Sequence, residues 1–182
     1  MKRVLQAICM LALLLTTSCK KLGKLKEFDL HYNQEFVIPA NNGGLTLPIE
    51  INSQDITTNT SSDYENQGTA TKLVESVYLT ELFFKVKTPS SGNFNFLKSV
   101  EIYLSSPNNS EILIASKYDI PEDWKNILYL DAHAINLKEY MQDDSYKLRV
   151  KTVTDQSLAN DMTIISDETF HVKARLRNYF KK

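Results

Sequence analysis

Tyr146, Leu148 and Val150 alternate residue by residue with Lys147, Arg149 and Lys151. Successive side chains of an extended chain point to opposite faces, so this stretch buries its apolar side only as a half-buried β-strand. The period recurs. Val100, Ile102 and Leu104 alternate with Glu101, Tyr103 and Ser105, and Ile164, Phe170, Val172 and Ala174 share one parity of segment 163–174. In 77–87 the pattern places Tyr78, Leu82, Phe84 and Val86 inside and Glu81, Lys85 and Lys87 outside. Segments 28–38, 112–115 and 127–130 read as further strands.

The remaining segments punctuate these strands. Pro39 and the turn Asn41-Asn42-Gly43-Gly44 lead into 45–51, where Pro48 cannot donate to a ladder and marks an edge or a bulge. Segment 52–68 reads as one long polar loop, functional or mobile. A helical turn is expected at 70–74, another at 136–141, and a helix start at Ile120-Pro121-Glu122-Asp123-Trp124. Strands, polar turns and no alternating βαβ pattern predict an all-β fold, an antiparallel immunoglobulin-like β-sandwich with Greek-key connections; an open barrel is the alternative. No repeat with a period of about 20 to 50 residues is visible, which argues against solenoids and propellers.

The first eighteen residues are different in kind. Lys2 and Arg3 precede an apolar run, 4–15, interrupted only by Gln6; Thr16, Thr17 and Ser18 then lead to Cys19. This is the layout of an export signal, too short for a membrane span, which needs about 20 residues. The small residues before Cys19 resemble the lipobox of bacterial lipoproteins, although Thr16 stands where leucine is usual. The resemblance implies cleavage before Cys19, acylation of Cys19, and membrane attachment through its acyl chains. The expected organisation is a lipoprotein signal peptide at 1–18, an acylated cysteine and basic tether at 19–26, and one β-sandwich domain at 27–182.

Cleavage there removes Lys2 and Arg3, so the 21 basic residues fall to 19 against 22 acidic ones and the net charge becomes −3. That charge implies no polyanionic partner and no nucleic acid. Cys9 leaves with the signal and Cys19 becomes the anchor, so the exported domain is held by its core rather than by disulfides. The stretch from Lys20 to Lys26 is a solvated spacer or, alternatively, a set of lysines touching anionic headgroups.

The search for chemistry yields no catalytic residue, metal site or cofactor. His31, His133 and His171 are far apart in sequence, and the five glycines form no phosphate-cradling loop. Glu122-Asp123 and Asp143-Asp144 are adjacent pairs, which on a strand would point to opposite faces.

Two features stand above this background. Trp124, the lone tryptophan, lies between Tyr118 and Tyr129, and the three form a candidate binding group for a sugar or a protein; Trp124 capping the open end of the sandwich is the alternative. The tail 173–182 carries Arg175, Arg177, Lys181 and Lys182 around Leu176, Tyr179 and Phe180. It is a frayed strand end or a basic contact with lipid or a partner.

The segments 28–40, 94–103 and 136–140 together resemble small lipoproteins of Bacteroidota with a β-sandwich domain. That resemblance carries no activity or functional residue set. The expected function is therefore a non-enzymatic, lipid-anchored envelope lipoprotein of the outer membrane. It would face the periplasm and bind an envelope protein partner through its loops or an open sheet edge. A glycan- or lipid-binding domain using Trp124 is the second expectation. A hydrolase pairing His133 or His171 with a carboxylate is the third.

Overall fold

The computed structural model describes residues 24–40, 48–52, 56–57, 59–123 and 125–176. Ten strands lie among them: β1 (Leu25–Ile38), β2 (Pro48–Asn52), β3 (Ile56–Thr57), β4 (Val74–Thr88), β5 (Leu97–Ser106), β6 (Asn109–Tyr118), β7 (Ile127–Tyr129), β8 (Asp131–Ala132), β9 (Ser145–Thr154) and β10 (Met162–Arg175). One helix, α1, spans Thr60–Asn66. β1 starts two residues inside the stretch read as tether, with Leu25 opposite Arg175 and Lys26 opposite Ala174.

The strands form two antiparallel sheets, one ordered β1-β10-β4-β7 and the other β2-β9-β5-β6-β8, with β3 also on β9. The antiparallel all-β sandwich expected from the alternation is the architecture found. Its strand order is not the immunoglobulin one, in which the consecutive pairs A/B, D/E and F/G are sheet neighbours. Here β5 and β6 are the one consecutive pair joined side by side among the described strands. The chain instead crosses between sheets from β1 to β2, β3 to β4, β4 to β5, β6 to β7, β7 to β8 and β9 to β10. β1-β10-β4-β7 facing β2-β9-β5-β6 is the double Greek key of a jelly roll. Periodicity specifies which face of a strand is buried, and it is silent about which strand lies beside it.

β10 is the central element of its sheet. Met162, Ile164, Ser166, Glu168, Phe170, Val172 and Ala174 all face inward and are buried, flanked by β1 and β4. The facing layer is Tyr146, Leu148 and Val150 of β9 with Val100, Ile102 and Leu104 of β5. Truncating a fully buried ring such as Phe170 to alanine in a core of this kind costs about 3–5 kcal/mol.

β4 departs from its sequence pattern. Leu82, Phe84 and Val86 are buried as expected, but so are Val77 and Leu79, whereas Tyr78 is exposed. Pairing with β10 explains the switch: Glu81 faces Thr169 and Leu79 faces the next residue, Phe170, so an extra residue bulges between them. A bulge puts two residues opposite one and reverses the parity beyond it.

The stretch 52–68 is not one loop, since it contains β3 and α1. A seven-residue helix is marginal alone, and α1 is held by tertiary contacts. Tyr64 is fully buried, its hydroxyl donates to the Met141 carbonyl at 3.1 Å, and Phe28 meets its ring edge-on at 6.2 Å. The helical turns expected at 70–74 and 136–141 are short 3-10 turns, Thr71–Leu73 and Tyr140–Gln142. No helix starts at 120–123. Asp119 takes φ 51°, and the Ile120 amide donates to the Lys98 carbonyl at 3.2 Å, tying this stretch to the start of β5. β2 lies at a sheet edge and begins at Pro48, as its missing amide requires.

Candidate functional site

The outward residues of the β2-β9-β5-β6 sheet form one charged and aromatic lattice. β9 points Lys147, Arg149 and Lys151 away from the core, and β5 does the same with Glu101 and Tyr103. The register sets Arg149 beside Tyr103 and Lys151 beside Glu101. Charge and ring thus meet across strands, the pairing that stabilises a sheet face.

Arg149 is the hub. Its Nε and Nη2 donate to the two Glu111 carboxylate oxygens at 2.7 and 2.6 Å, a fork that only arginine supplies. Nη1 lies 3.3 Å from Glu50 on β2, and the guanidinium stacks on the Tyr103 ring at 4.3 Å. The Arg149 hydrogen bonds hold the Glu111 carboxyl below its usual range. Glu101 is a second node, accepting hydrogen bonds from the Tyr118 hydroxyl at 2.8 Å and the Tyr103 hydroxyl at 2.9 Å, with Lys151 at 3.3 Å. Those bonds, Tyr118 first, hold its carboxyl low. The result is a flat, cross-tied surface with Tyr118 53% exposed at its margin.

The three residues expected to bind together do not share a face. Tyr118 ends β6 and belongs to this lattice. Tyr129 ends β7 in the other sheet, 57% exposed, with its ring 5.3 Å from that of Phe83. Trp124 and Cys19 lie outside the described residues.

Of the histidines, His31 and His171 are diagonal neighbours on the outward face of the β1–β10 pair, and His133 lies apart from both. His31 contacts Thr169 Oγ1 at 3.1 Å. His133 Nε2 meets Ser116 Oγ at 3.0 Å, and His171 Nδ1 meets Asp29 Oδ1 at 2.8 Å. The His133–Ser116 contact belongs to the other sheet, whereas the His31–Thr169 and His171–Asp29 contacts lie on neighbouring rungs of the β1–β10 pair. The other ring nitrogen of His171 points toward a second carboxylate, Glu27, at 3.9 Å rather than toward a nucleophile. Asp143 accepts hydrogen bonds from the Asn108 amide at 3.1 Å and the Asn108 side chain at 2.7 Å, which braces the β5–β6 turn. Among the described residues no three His, Cys, Asp or Glu side chains gather as metal ligands. Nor is any described helix long and apolar enough to cross a membrane.

Sequence reasoning missed a polar cluster inside the sandwich. Ser166 and Glu168 occupy the apolar parity of β10, opposite Gln34 and Tyr32 of β1. The parity of Ile164 and Phe170 already carried this signal. Glu168 is 1% exposed, accepts a hydrogen bond from Ser166 and lies 3.5 Å from Gln34 Nε2. Burial pushes its carboxyl up to about 7. The buried Tyr146 hydroxyl and Glu168 Oε2 lack hydrogen-bond partners of good geometry, yet they sit near enough to shift each other's titration.

At the end of the sandwich away from Leu25, a cleft of about 270 Å³ lies between segments 89–96 and 156–162. Asn93, Asn95, Gln156, Ser157 and Asn160 contribute to its lining. The Phe94 amide donates to the carbonyl of Lys125, next in sequence to Trp124, at 3.2 Å.

No protein-family model matches this chain, and no curated protein matches it. Among solved structures it is similar to the infectious bursal disease virus VP2 subviral particle at 18% identity and TM-score 0.38. That match covers 86% of this chain and 34% of the VP2 chain, so the chain spans about a third of that protein's length. It is also similar to the decameric BFDV capsid protein, at 8% identity and TM-score 0.37, covering 84% of this chain and 100% of that one. A third similar structure, turnip yellow mosaic virus, has TM-score 0.27 at 13% identity, covering 85% of this chain and 100% of that one. Scores of this size assign the chain neither a function nor a partner.

Proposed function

We propose that this chain is a non-enzymatic envelope lipoprotein, anchored in the outer membrane through acyl chains on Cys19 and facing the periplasm. It binds a protein partner through the outer face of the β2-β9-β5-β6 sheet. The observation that carries the reading is the Arg149–Tyr103–Glu111 cluster continuing into Glu101 and Tyr118. Tyrosine and arginine dominate binding hot spots, and side chains already fixed by their neighbours lose little freedom on association. A flat lattice offers a macromolecule area and gives a small molecule no enclosure.

Site-specific photocrosslinking in intact cells tests it. A crosslinker replacing Tyr118 captures one discrete product, Arg149→Ala abolishes that product, and a crosslinker replacing Tyr129 does not yield it. Equal products from both positions overturn the reading.

The cleft, whose amide and hydroxyl side chains sit beside Phe96, Leu158 and Met162, supports a second reading, a small-ligand module for a molecule with both hydroxyl groups and an apolar face, such as a glycan. Titration calorimetry with a glycan panel, on the parent and on Asn93→Ala, tests it. A panel that gives no heat with the parent, or equal heat with the variant, removes this reading.

A further inference from the structure

The cleft between segments 89–96 and 156–162 is held by bonds on both of its walls. On one, the Gly92 amide donates to the Pro89 carbonyl at 2.9 Å and the Asn95 amide to Asn93 Oδ1 at 3.1 Å, so the turn holds the Asn93 side chain in place. The Asp155 amide donates to the Phe96 carbonyl at 3.1 Å, which ties the start of the other wall to the first. Val86 and Met162 pack so closely on Gly92 that a Cβ has no room. Asn95, although polar, is only 6% exposed.

The chemistry of the lining is narrow. Asn93, Asn95, Gln156 and Asn160 supply primary amides, two serines supply hydroxyls, and Leu158 and Met162 add apolar surface. None of the described residues that line it is charged. Asp161, between two lining residues, is engaged elsewhere, accepting from the Ala40 amide at 2.8 Å. A charged ligand would therefore lose hydration without gaining a counter-ion.

A primary amide offers both a donor and an acceptor. The acetamido group of an N-acetylated sugar presents the complementary acceptor and donor on one rigid plane and ends in a methyl group. Hydroxyl groups alone would leave the apolar part of the lining unused. The volume, about 270 Å³, falls just under that of the smallest drug-sized sites, about 300 Å³, and suits one sugar ring. An extended peptide needs a longer groove.

We propose that this cleft binds one neutral N-acetylated hexosamine residue, its amides taking the acetamido group and Leu158 and Met162 taking the methyl. That assignment rests on the small-ligand reading above and narrows it from glycans in general to one class.

The test uses the chain without residues 1–18, with Cys19→Ser, which retains the whole buried core from Leu30 to Ala174. Backbone amide shifts are followed by NMR during titration with N-acetylglucosamine, glucose, glucosamine, N-acetylmuramic acid and N-acetylglycinamide. N-acetylglucosamine should move residues 91–96 and 156–160 and bind about thirtyfold more tightly than glucose, the worth of two hydrogen bonds. Glucosamine and N-acetylmuramic acid bring a charge, and N-acetylglycinamide has the amide without the ring, so all three should bind more weakly. Gln156 and Asn160 are exposed, and the double variant Gln156→Ala/Asn160→Ala should keep the fold and lose the preference over glucose. Equal affinity for glucose at the same residues overturns the proposal and leaves the small-ligand reading standing. Shifts from none of the sugars overturn both. Tighter binding of N-acetylmuramic acid or N-acetylglycinamide than of N-acetylglucosamine, or a double variant that binds like the parent, overturns the proposal alone.

Discussion

The guanidinium of Arg149 stacks on the Tyr103 ring at 4.3 Å while its fork grips Glu111, so one side chain ties three strands of the outer face together. Arg149→Lys keeps the charge and loses both the stack and the fork. It is expected to destabilise the domain by about 1 kcal/mol, the pair being partly solvent-screened. Urea unfolding of Arg149→Lys, Tyr103→Leu and the double variant checks this. Strictly additive losses would show that the stack contributes nothing.

Glu168 predicts a pH dependence. Burial raises its folded-state pKa from 4.5 to about 7, so the folded protein holds this proton more tightly than the unfolded chain. Its stabilising contribution is therefore complete below pH 4.5 and is lost as pH rises to about 7, a decline of about 3 kcal/mol. The groups facing it are Tyr146 across the sandwich, Tyr32 and Gln34 on β1, and Ser166 on its own strand, while the charge of Asp167 acts from the outward face. Glu168→Gln keeps a neutral polar group and should flatten the slope, being more stable than the parent at about pH 8. Chemical denaturation across that window is the measurement, and an unchanged slope in the variant would mean another group is responsible.

Gly92 is expected to reject a side chain. A Cβ there would lie 2.8 Å from Val86 Cγ1, 3.0 Å from the Pro89 carbonyl oxygen and 3.2 Å from Met162 Cε. Gly92→Ala should cost about 1–3 kcal/mol by overpacking. Adding Val86→Ala should recover only part, because the Pro89 oxygen is backbone and stays. Thermal melts of the single and double variants decide between these outcomes.

Tyr64 anchors α1, with its hydroxyl on the Met141 carbonyl at 3.1 Å in a fully buried position. Tyr64→Phe removes that one hydrogen bond and should cost about 1 kcal/mol. Tyr64→Ala also opens a cavity and should cost about 3–5 kcal/mol. Amide exchange in residues 60–66 should rise well before the strands open in Tyr64→Ala. Uniform exchange across the chain would instead make α1 part of the global unfolding unit.

Much of the sandwich was legible from pattern alone. Leu148 and Val150 of β9, Ile102 of β5 and Phe170 of β10 all face inward as their parity requires. Tyr78 was not legible, because a bulged residue near Glu81 inverts the parity from Leu79 to Val77, until a second shift before Val74 restores it, and neither leaves a local mark in the composition. The candidate site was legible only in part. Tyr118 was singled out for its ring, whereas its relation to Glu101, Tyr103 and Arg149 depends on which strands pair and in what register.

What the sequence determined by itself is the alternation: a half-buried strand can hide its apolar side chains in one way only, so the all-β class and most inward residues followed from period two. The tertiary structure decided what lies beside what. Strand order rests on long-range packing of faces that look alike in sequence, and the chain met it by crossing between its sheets. Setting Glu168 near Tyr146 and Arg149 on Tyr103 required that order, since each joins residues with no local signal linking them.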